Sequence, residues 1–450
     1  MNETTQALGE FAPAPRELQR TLSYHDLVIY GLAYVCPFAP LQILGFVWSA
    51  SNGLISLAYV LGAVCMYFTA KSYAMMTESV PTAGSVYGFA RHALGPFAGF
   101  VAGWMLLLDY LMIPAYVYVL MAVAMTDLVP QVSRAEWIVL ISALTLGINW
   151  FGVVVTSRVN LLSVGLQLLF LAVIVALALF ALHQGKGTGA LTFQPFYTPG
   201  HLEAHSLFAA TSICVMSFLG FDAISTLAEE VKGNDRRTVG RAIVAVLVLS
   251  AALFAVVTWV LGNLMNGYQF KDLATATYEL GGWAFGPWAA IVLAWTMATL
   301  VGFTNALPMQ VGVARVLFAM GRDRQLPSAL SKLHPKYGTP YIGMLATAAI
   351  SLTVAIAMRS KMDELVSLVN FGALSAFLLL HVSVFAFFWV RRRSRQWFAH
   401  LVVPVAGIIV VLAVMSGMSS LAMTLGVVWL IAGASYGLVL RKRHRDALAI

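Results

Sequence analysis

The sequence predicts an all-α integral membrane protein with twelve transmembrane helices. Three observations carry that reading: an apolar composition, about a dozen apolar runs of spanning length, and a lopsided distribution of Lys and Arg. Of the 450 residues 60% are hydrophobic and 10% charged, whereas a soluble globular chain carries roughly 25% charged residues. No water-soluble surface can be built from this composition, so the lipid bilayer is the expected surrounding.

A helix needs ~20 apolar residues to cross the hydrocarbon core. Runs of that kind lie at 26–49, 53–76, 95–124, 135–154, 160–182, 206–228, 239–264, 284–314, 341–358, 365–390, 400–418 and 420–440. With the N-terminus inside and twelve spans, 22 of the 27 basic residues fall in inner segments, and only Arg134, Lys186, Lys271, Arg359 and Lys361 fall outside. The Lys and Arg bias sets orientation, so both termini are expected to be cytoplasmic. The net charge of +8 is then a topology signal and not a nucleic-acid footprint, because the basic residues are scattered among loops.

The chain divides into an N-terminal tail at 1–22, a core at 23–392 holding helices 1 to 10, helices 11 and 12 at 393–441, and a basic tail at 442–450. The first 20 residues are polar and lack an apolar stretch with a cleavage site, so helix 1 is expected to stay in the protein. Cys36, Cys65 and Cys214 all lie inside predicted spans, which argues for buried thiols and against a disulfide framework.

Enzyme signatures are missing: there is no HExxH, no GxGxxG and no CxxC. The Gly185-Lys186-Gly187-Thr188 stretch lacks the upstream glycine of a phosphate loop and reads as a flexible turn. The histidines are dispersed, and His381, deep in span 10, reads as a packing residue. Neither a cofactor nor a metal is expected.

Helix breaks and buried acids remain. Span 1 places Pro37 and Pro40 in mid-membrane, and each proline removes a donor and clashes with the preceding turn. Span 6 carries Gly220 between Phe218 and Phe221, followed by Asp222. Glycine permits a departure from helical dihedrals, and irregular backbone at this depth is tolerated only where it is buried in protein or lines a cavity. The breaks stand five helices apart. Interrupted helices at matching positions of two halves point to a transporter site, which pairs helices 1 to 5 with 6 to 10 as inverted repeats. Helices 11 and 12 fall outside the repeats, and either join two copies in a homodimer or support the scaffold.

The string Phe218-Leu219-Gly220-Phe221-Asp222 with Glu229-Glu230 at its end resembles the sixth-helix motif of the amino acid/polyamine/organocation superfamily. Pro81-Thr82-Ala83-Gly84-Ser85-Val86-Tyr87 is similar to its element after helix 2, and the run from Arg315 to Asp323 with Pro327, His334 and Pro335 is equally typical. Leu108-Asp109-Tyr110-Leu111 resembles bacterial putrescine importers. The resemblance implies a leucine-transporter-type fold with alternating access, importing amino acids or amines with protons or by exchange.

Departures from the pattern shift the expected substrate. Amino-acid-selective members hold the substrate carboxylate on N–H groups of a Gly-rich first-helix break, where this chain has Pro37 and Pro40. The cationic-amino-acid branch has a lysine in helix 5 after an Arg-x-Asn signature; here Arg158 and Asn160 are followed by Gln167 at the aligned position. Asp109 and Asp222 are the acids placed inside the hydrocarbon zone, and an intramembrane acid marks function.

The expected function is therefore import of a small organic cation, putrescine or a related amine, by proton symport across the cytoplasmic (inner) membrane. A proton-coupled amino acid permease and an amine/amino acid exchanger are the alternatives. Expected substrate contacts are Asp222, Phe218, Gly220, Phe221, Asp109, Tyr110, Tyr34, Pro37, Phe38 and Trp295, the aromatic rings closing over a methylene chain and its ammonium groups. Proton coupling needs a group whose protonation differs between access states. Apolar burial disfavours a charged carboxylate, which points to Asp109 and Asp222. Sodium is the competing ion, with Thr299 and Thr304 available in span 8. Glu229, Glu230 and Tyr87 are the expected cytoplasmic gate.

Overall fold

The computed structural model describes residues 22–80, 85–151, 157–232, 236–322, 325–335, 337 and 339–443. Within them the chain is almost wholly helical, and the one β contact is a parallel bridge between Leu22 and Val231. Residues 81–84, Asp323, the residues before Leu22 and those after Arg443 lie outside the described residues, as do the side chains of Arg158, Asn160, Glu229 and Glu230.

Nine of the described helices are long and apolar enough to cross a membrane, and a tenth crossing is the pair Tyr24–Gln42 and Leu44–Ala50, bent by 61°. Two more helices, Arg134–Trp150 and Tyr341–Ala357, have 17 residues each, the lower limit of the ~17–25 that span the hydrocarbon core. Together they complete twelve spans. Span 1 is the bent pair, span 2 is Ile55–Ser79, span 3 Pro96–Leu128, span 4 Arg134–Trp150 and span 5 Ser157–His183. Span 6 runs over 204–230, span 7 is Arg236–Met265, span 8 Pro287–Arg322 and span 9 Tyr341–Ala357. Span 10 is Met362–Arg391, span 11 Phe398–Ser416 and span 12 Ser420–Arg443.

The two halves share their punctuation. Short helices of 10 residues, Ser85–Leu94 and Ala276–Phe285, each lead into a Gly-Pro pair that opens the next span, Gly95-Pro96 for span 3 and Gly286-Pro287 for span 8. Gly95 has φ 105° and ψ 173°, Gly286 φ 106° and ψ 165°. Only glycine adopts such dihedrals without strain, and proline suits a first helical position because that N–H has no intrahelical partner. Packing repeats as well: span 1 lies against span 7, span 6 against span 2, and spans 2 and 7 run along each other. The fold is thus the five-plus-five repeat with broken spans 1 and 6, with spans 11 and 12 added.

Local chemistry dictates the breaks. Span 1 starts on a capping box, the Ser23 N–H donating to Asp26 at 2.8 Å. It stops at Val35, Cys36 turns left-handed at φ 64°, and a short helical turn resumes at Ala39–Gln42. Span 6 is α-helical over Ala204–Cys214, tightens into a 3-10 turn at Val215–Phe218, and reverses at Gly220 with φ 112°. It continues as a 3-10 helix, Phe221–Glu230.

Candidate substrate-binding site

A cavity of about 360 Å³ lies between the two breaks and spans 3 and 8. Span 1 contributes Tyr34, Val35, Cys36, Ala39 and Gln42 to it, and span 6 contributes Leu219, Gly220, Asp222 and Thr226. Span 3 adds Asp109, Tyr110, Ile113 and Tyr116, while span 8 presents Gly302, Asn305, Met309, Gly312 and Val316. The span 8 spacing, three to four residues per step, is one face of an α-helix.

The cavity opens at the end of Tyr34 and Arg315. Tyr34, Thr226, Gly312 and Arg315 are exposed, on the face where the basic loops gather. At the opposite end Tyr116 is buried and donates from its hydroxyl to Gln42 Oε1 at 3.0 Å. Beyond this bond the helix Ala276–Phe285 docks on span 1, the Thr277 hydroxyl donating to the Leu41 carbonyl at 2.5 Å. Arg134 pairs with Asp272 at 2.9 Å, and Lys186 donates to the carbonyls of Ala284 and Trp283 at 2.8 and 3.0 Å, so the segment is clamped from two further sides.

Two carboxylates line the cavity wall. Asp222 is buried; its Oδ1 accepts from the Gly220 N–H at 3.2 Å and its Oδ2 from the Tyr73 hydroxyl at 3.5 Å. Asp109 is equally buried on the unbroken span 3, with Gly372 of span 10 behind it, and its Oδ1 has no hydrogen-bond partner. An unmatched buried acceptor costs roughly 1–3 kcal/mol, more when charged, so a donor from a bound molecule or a proton relieves a standing penalty.

The backbone around the breaks favours the same partner. Among residues 36–40, Pro37 and Pro40 have no N–H. The N–H groups of Cys36 and Ala39 donate to the carbonyls of Leu32 and Cys36, and that of Phe38 faces the Cys36 sulfur. No free donor is left there for a carboxylate. In span 6 the reversal at Leu219 and Gly220 puts the Phe218 and Leu219 carbonyls outside both helical ladders, the condition in which carbonyls take up a cation.

Of the residues singled out from the sequence, Tyr34, Asp109, Tyr110, Gly220 and Asp222 line the cavity together. Phe218, Phe221, Pro37 and Phe38 are buried behind its wall instead. Phe218 packs on Tyr59 and Phe254 with ring centroids 6.1 and 5.3 Å apart, and Phe221 packs on Tyr73 and Phe377. Within the 3-10 helix residues three apart eclipse, so Phe221 and Ile224 share the core edge while Ala223 and Thr226 share the cavity edge beside Asp222; Phe218, before the reversal, packs into the core on its own.

Trp295 requires a correction, being 49% exposed and outside the cavity lining. Thr296–Phe303 is π-helical, and its wider turn rotates Trp295 out of phase with Gly302 and Asn305. Thr299 is exposed as well, its hydroxyl spent on the Trp295 carbonyl, and Thr304 donates to the carbonyl of Leu300 in its own helix. Tyr87 sits away from the cavity, its hydroxyl accepting from Gln325 at 2.6 Å and Arg91 at 3.1 Å. It joins the helix Ser85–Leu94 to the segment after span 8. The cysteines are free and buried, and His381 is packed between Thr69 and Ser72.

Sequence reasoning missed Gln42, Tyr73, Tyr116 and Asn305 in the site. The amides carried a usable signal, because a polar side chain in an apolar span is as unusual as an acid and is held by a partner or a cavity.

Comparison with known proteins agrees with this architecture. A family model described as amino acid permease matches residues 28–434. The low-affinity putrescine importer PlaP of Escherichia coli K12 is 30% identical over 437 residues, covering 96% of this chain and 95% of the relative. The branched-chain amino acid permease BcaP of Bacillus subtilis is 28% identical over 391 residues, and a methylthioribose transporter of the same species 27% over 393, each covering 82% of this chain and 81% of the relative. The chain belongs to the amino acid permease family and is a multi-pass membrane transporter, not an enzyme.

Proposed function

We propose that this chain imports an organic amine, putrescine or a related polyamine, across the cytoplasmic membrane by proton symport with alternating access. Both termini and the basic loops face the cytoplasm in this reading, so the cavity described above is the inward-open state. The observation that carries it is the pair Asp109 and Asp222 in one cavity beside a donor-poor break. Two carboxylates and freed carbonyls replace the hydration of ammonium groups, whereas a substrate carboxylate meets no backbone donor at residues 36–40. Asp109 is the group that carries the coupling proton inward beside the bound amine and gives it up on the cytoplasmic side, because its Oδ1 has no protein donor to hold it as a carboxylate. The likeness to a putrescine importer supports the same reading.

A second reading, an amino acid permease, is favoured by one observation: Arg315 lines the cavity mouth and offers a carboxylate partner. Uptake of radiolabelled putrescine into proteoliposomes separates the two. Unlabelled putrescine is expected to compete best, arginine less, and leucine least. Asp222→Asn should lower uptake at least about tenfold, and collapse of an inward proton gradient should lower it too. Uptake indifferent to both the gradient and Asp222→Asn would count decisively against an amine symporter.

A further inference from the structure

Arg315 lies at the mouth of the cavity, exposed, on the same wall as Gly312 and Val316. Among the described residues it makes no ion pair or hydrogen bond, although its charge acts on the Tyr34 hydroxyl. Among the described residues it is the only Lys or Arg in the cavity lining. Its guanidinium stays protonated at any working pH.

Two features give that side chain a path inward. Helical side chains lean toward the N-terminus of their helix, over the residue three or four positions before. For Arg315 that direction runs over Gly312 and on toward Asn305, into the cavity. Space is open there, since a Cβ placed at Gly312 meets no atom within 4 Å. Tyr34, beside Arg315, touches the Gly220 turn, where an added Cβ would lie 2.7 Å from the Tyr34 carbonyl carbon, and Asp222 follows two residues later. The unpaired cation and the two acids thus line one cavity, with Tyr34 between Arg315 and the Gly220 turn.

A carrier that releases a cation inside must return empty. Its two carboxylates then lose their partner in a site of low polarity, and uncompensated buried charge is strongly unfavourable. We propose that Arg315 is a tethered counter-cation: once the amine has left, the guanidinium moves over Gly312 toward Asp222 and Asp109 and balances them during the return of the empty carrier. The inference rests on the amine reading above. It assigns Arg315 to the return step and not to substrate binding.

The test compares net uptake with exchange in proteoliposomes, using putrescine as the probe. Exchange, with putrescine on both sides, needs no empty return. Arg315→Gln is expected to lower net uptake about tenfold or more while leaving exchange within about twofold of the unaltered protein. Arg315→Lys, which keeps the cation, should restore most of the net uptake. Retained exchange also shows that the variants fold. Equal net uptake in Arg315→Gln and the unaltered protein overturns the proposal, as does an equal fall in both modes, which would make Arg315 a substrate ligand or a structural residue. If the unaltered protein moves no putrescine in either mode, the amine reading falls and the proposal with it. Normal transport by the unaltered protein with an unaffected Arg315→Gln removes only the role of Arg315.

Discussion

In span 1 the chain is interrupted at Cys36, φ 64°, just before Pro37 and Pro40, and in span 6 at Gly220, φ 112°, beside an acid. The first break is neutral and tied to its surroundings by a directed hydrogen-bond chain. Tyr116 of span 3 donates to Gln42 at 3.0 Å and Gln42 to Cys36 Sγ at 3.4 Å. Cys36 donates to Gln167 of span 5 at 3.2 Å, and Gln167 to Ser163 at 3.2 Å. The second break carries the charge, is satisfied mainly by its own Gly220 N–H and by Tyr73, and packs through the rings of Phe218 and Phe221. One break is positioned by polar partners on neighbouring spans; the other presents a carboxylate to the cavity.

The contrast is broken most severely at Gly220. An added Cβ there would lie 2.7 and 2.8 Å from the backbone carbon and oxygen of Tyr34, and the positive φ strains any L side chain by about 1–3 kcal/mol. Gly220→Ala is expected to abolish putrescine uptake and to lower the melting temperature in detergent. Cys36→Gly is the counterpart, removing a side chain from a left-handed position. It should relieve backbone strain while losing the thiol link between Gln42 and Gln167, so the net change in melting temperature should be small. Equal damage from both would show that the two breaks are equivalent, against the comparison drawn here.

The next largest effect is expected in the polar chain. Gln167 is buried, and Gln167→Leu would leave the Cys36 thiol without an acceptor and Ser163 without a donor. Orphaned buried groups cost roughly 1–3 kcal/mol in total, to be read as a fall in thermal stability. Because no charge is touched, the order of competition among putrescine, arginine and leucine should not change. A changed order would move Gln167 from a positioning residue to a substrate contact.

The sequence made the spans legible because composition and charge bias act over whole segments, and single-residue detail averages out. The breaks were legible because Pro37, Pro40 and Gly220 act through their own covalent geometry. What faces the cavity was less so, since facing depends on helical phase. The break and the 3-10 turns on either side of it put Phe218 and Phe221 into the core, and a π segment carried Trp295 to the outside. Asp109 and Asp222 survived because burial of an acid is costly whichever way a helix turns. Gln42 and Asn305 were overlooked because amides lack that cost in charge, although they too need partners. The Gly-Pro pairs at 95–96 and 286–287, overlooked in the sequence, stand at equivalent points of the two halves and open spans 3 and 8 alike.

The smallest effect is expected at the outer clamp, and it bears on what holds span 1 in place. Arg134 and Asp272 pair at 2.9 Å with side chains 29% and 44% exposed. Pairs this exposed contribute about 0–1 kcal/mol and are screened over a Debye length of about 8–10 Å in ordinary buffers. The Thr277 hydroxyl, by contrast, is buried and donates to the Leu41 carbonyl, one residue from Gln42. Thr277→Val leaves that carbonyl unmatched, at a cost of roughly 1–3 kcal/mol. Arg134→Gln should therefore change thermal stability less than Thr277→Val, and its small effect should vanish in high salt. The reverse ranking would mean that surface charge holds the outer closure. The ranking expected here places that task on the polar partners of span 1, the same side of the molecule that fixes its break.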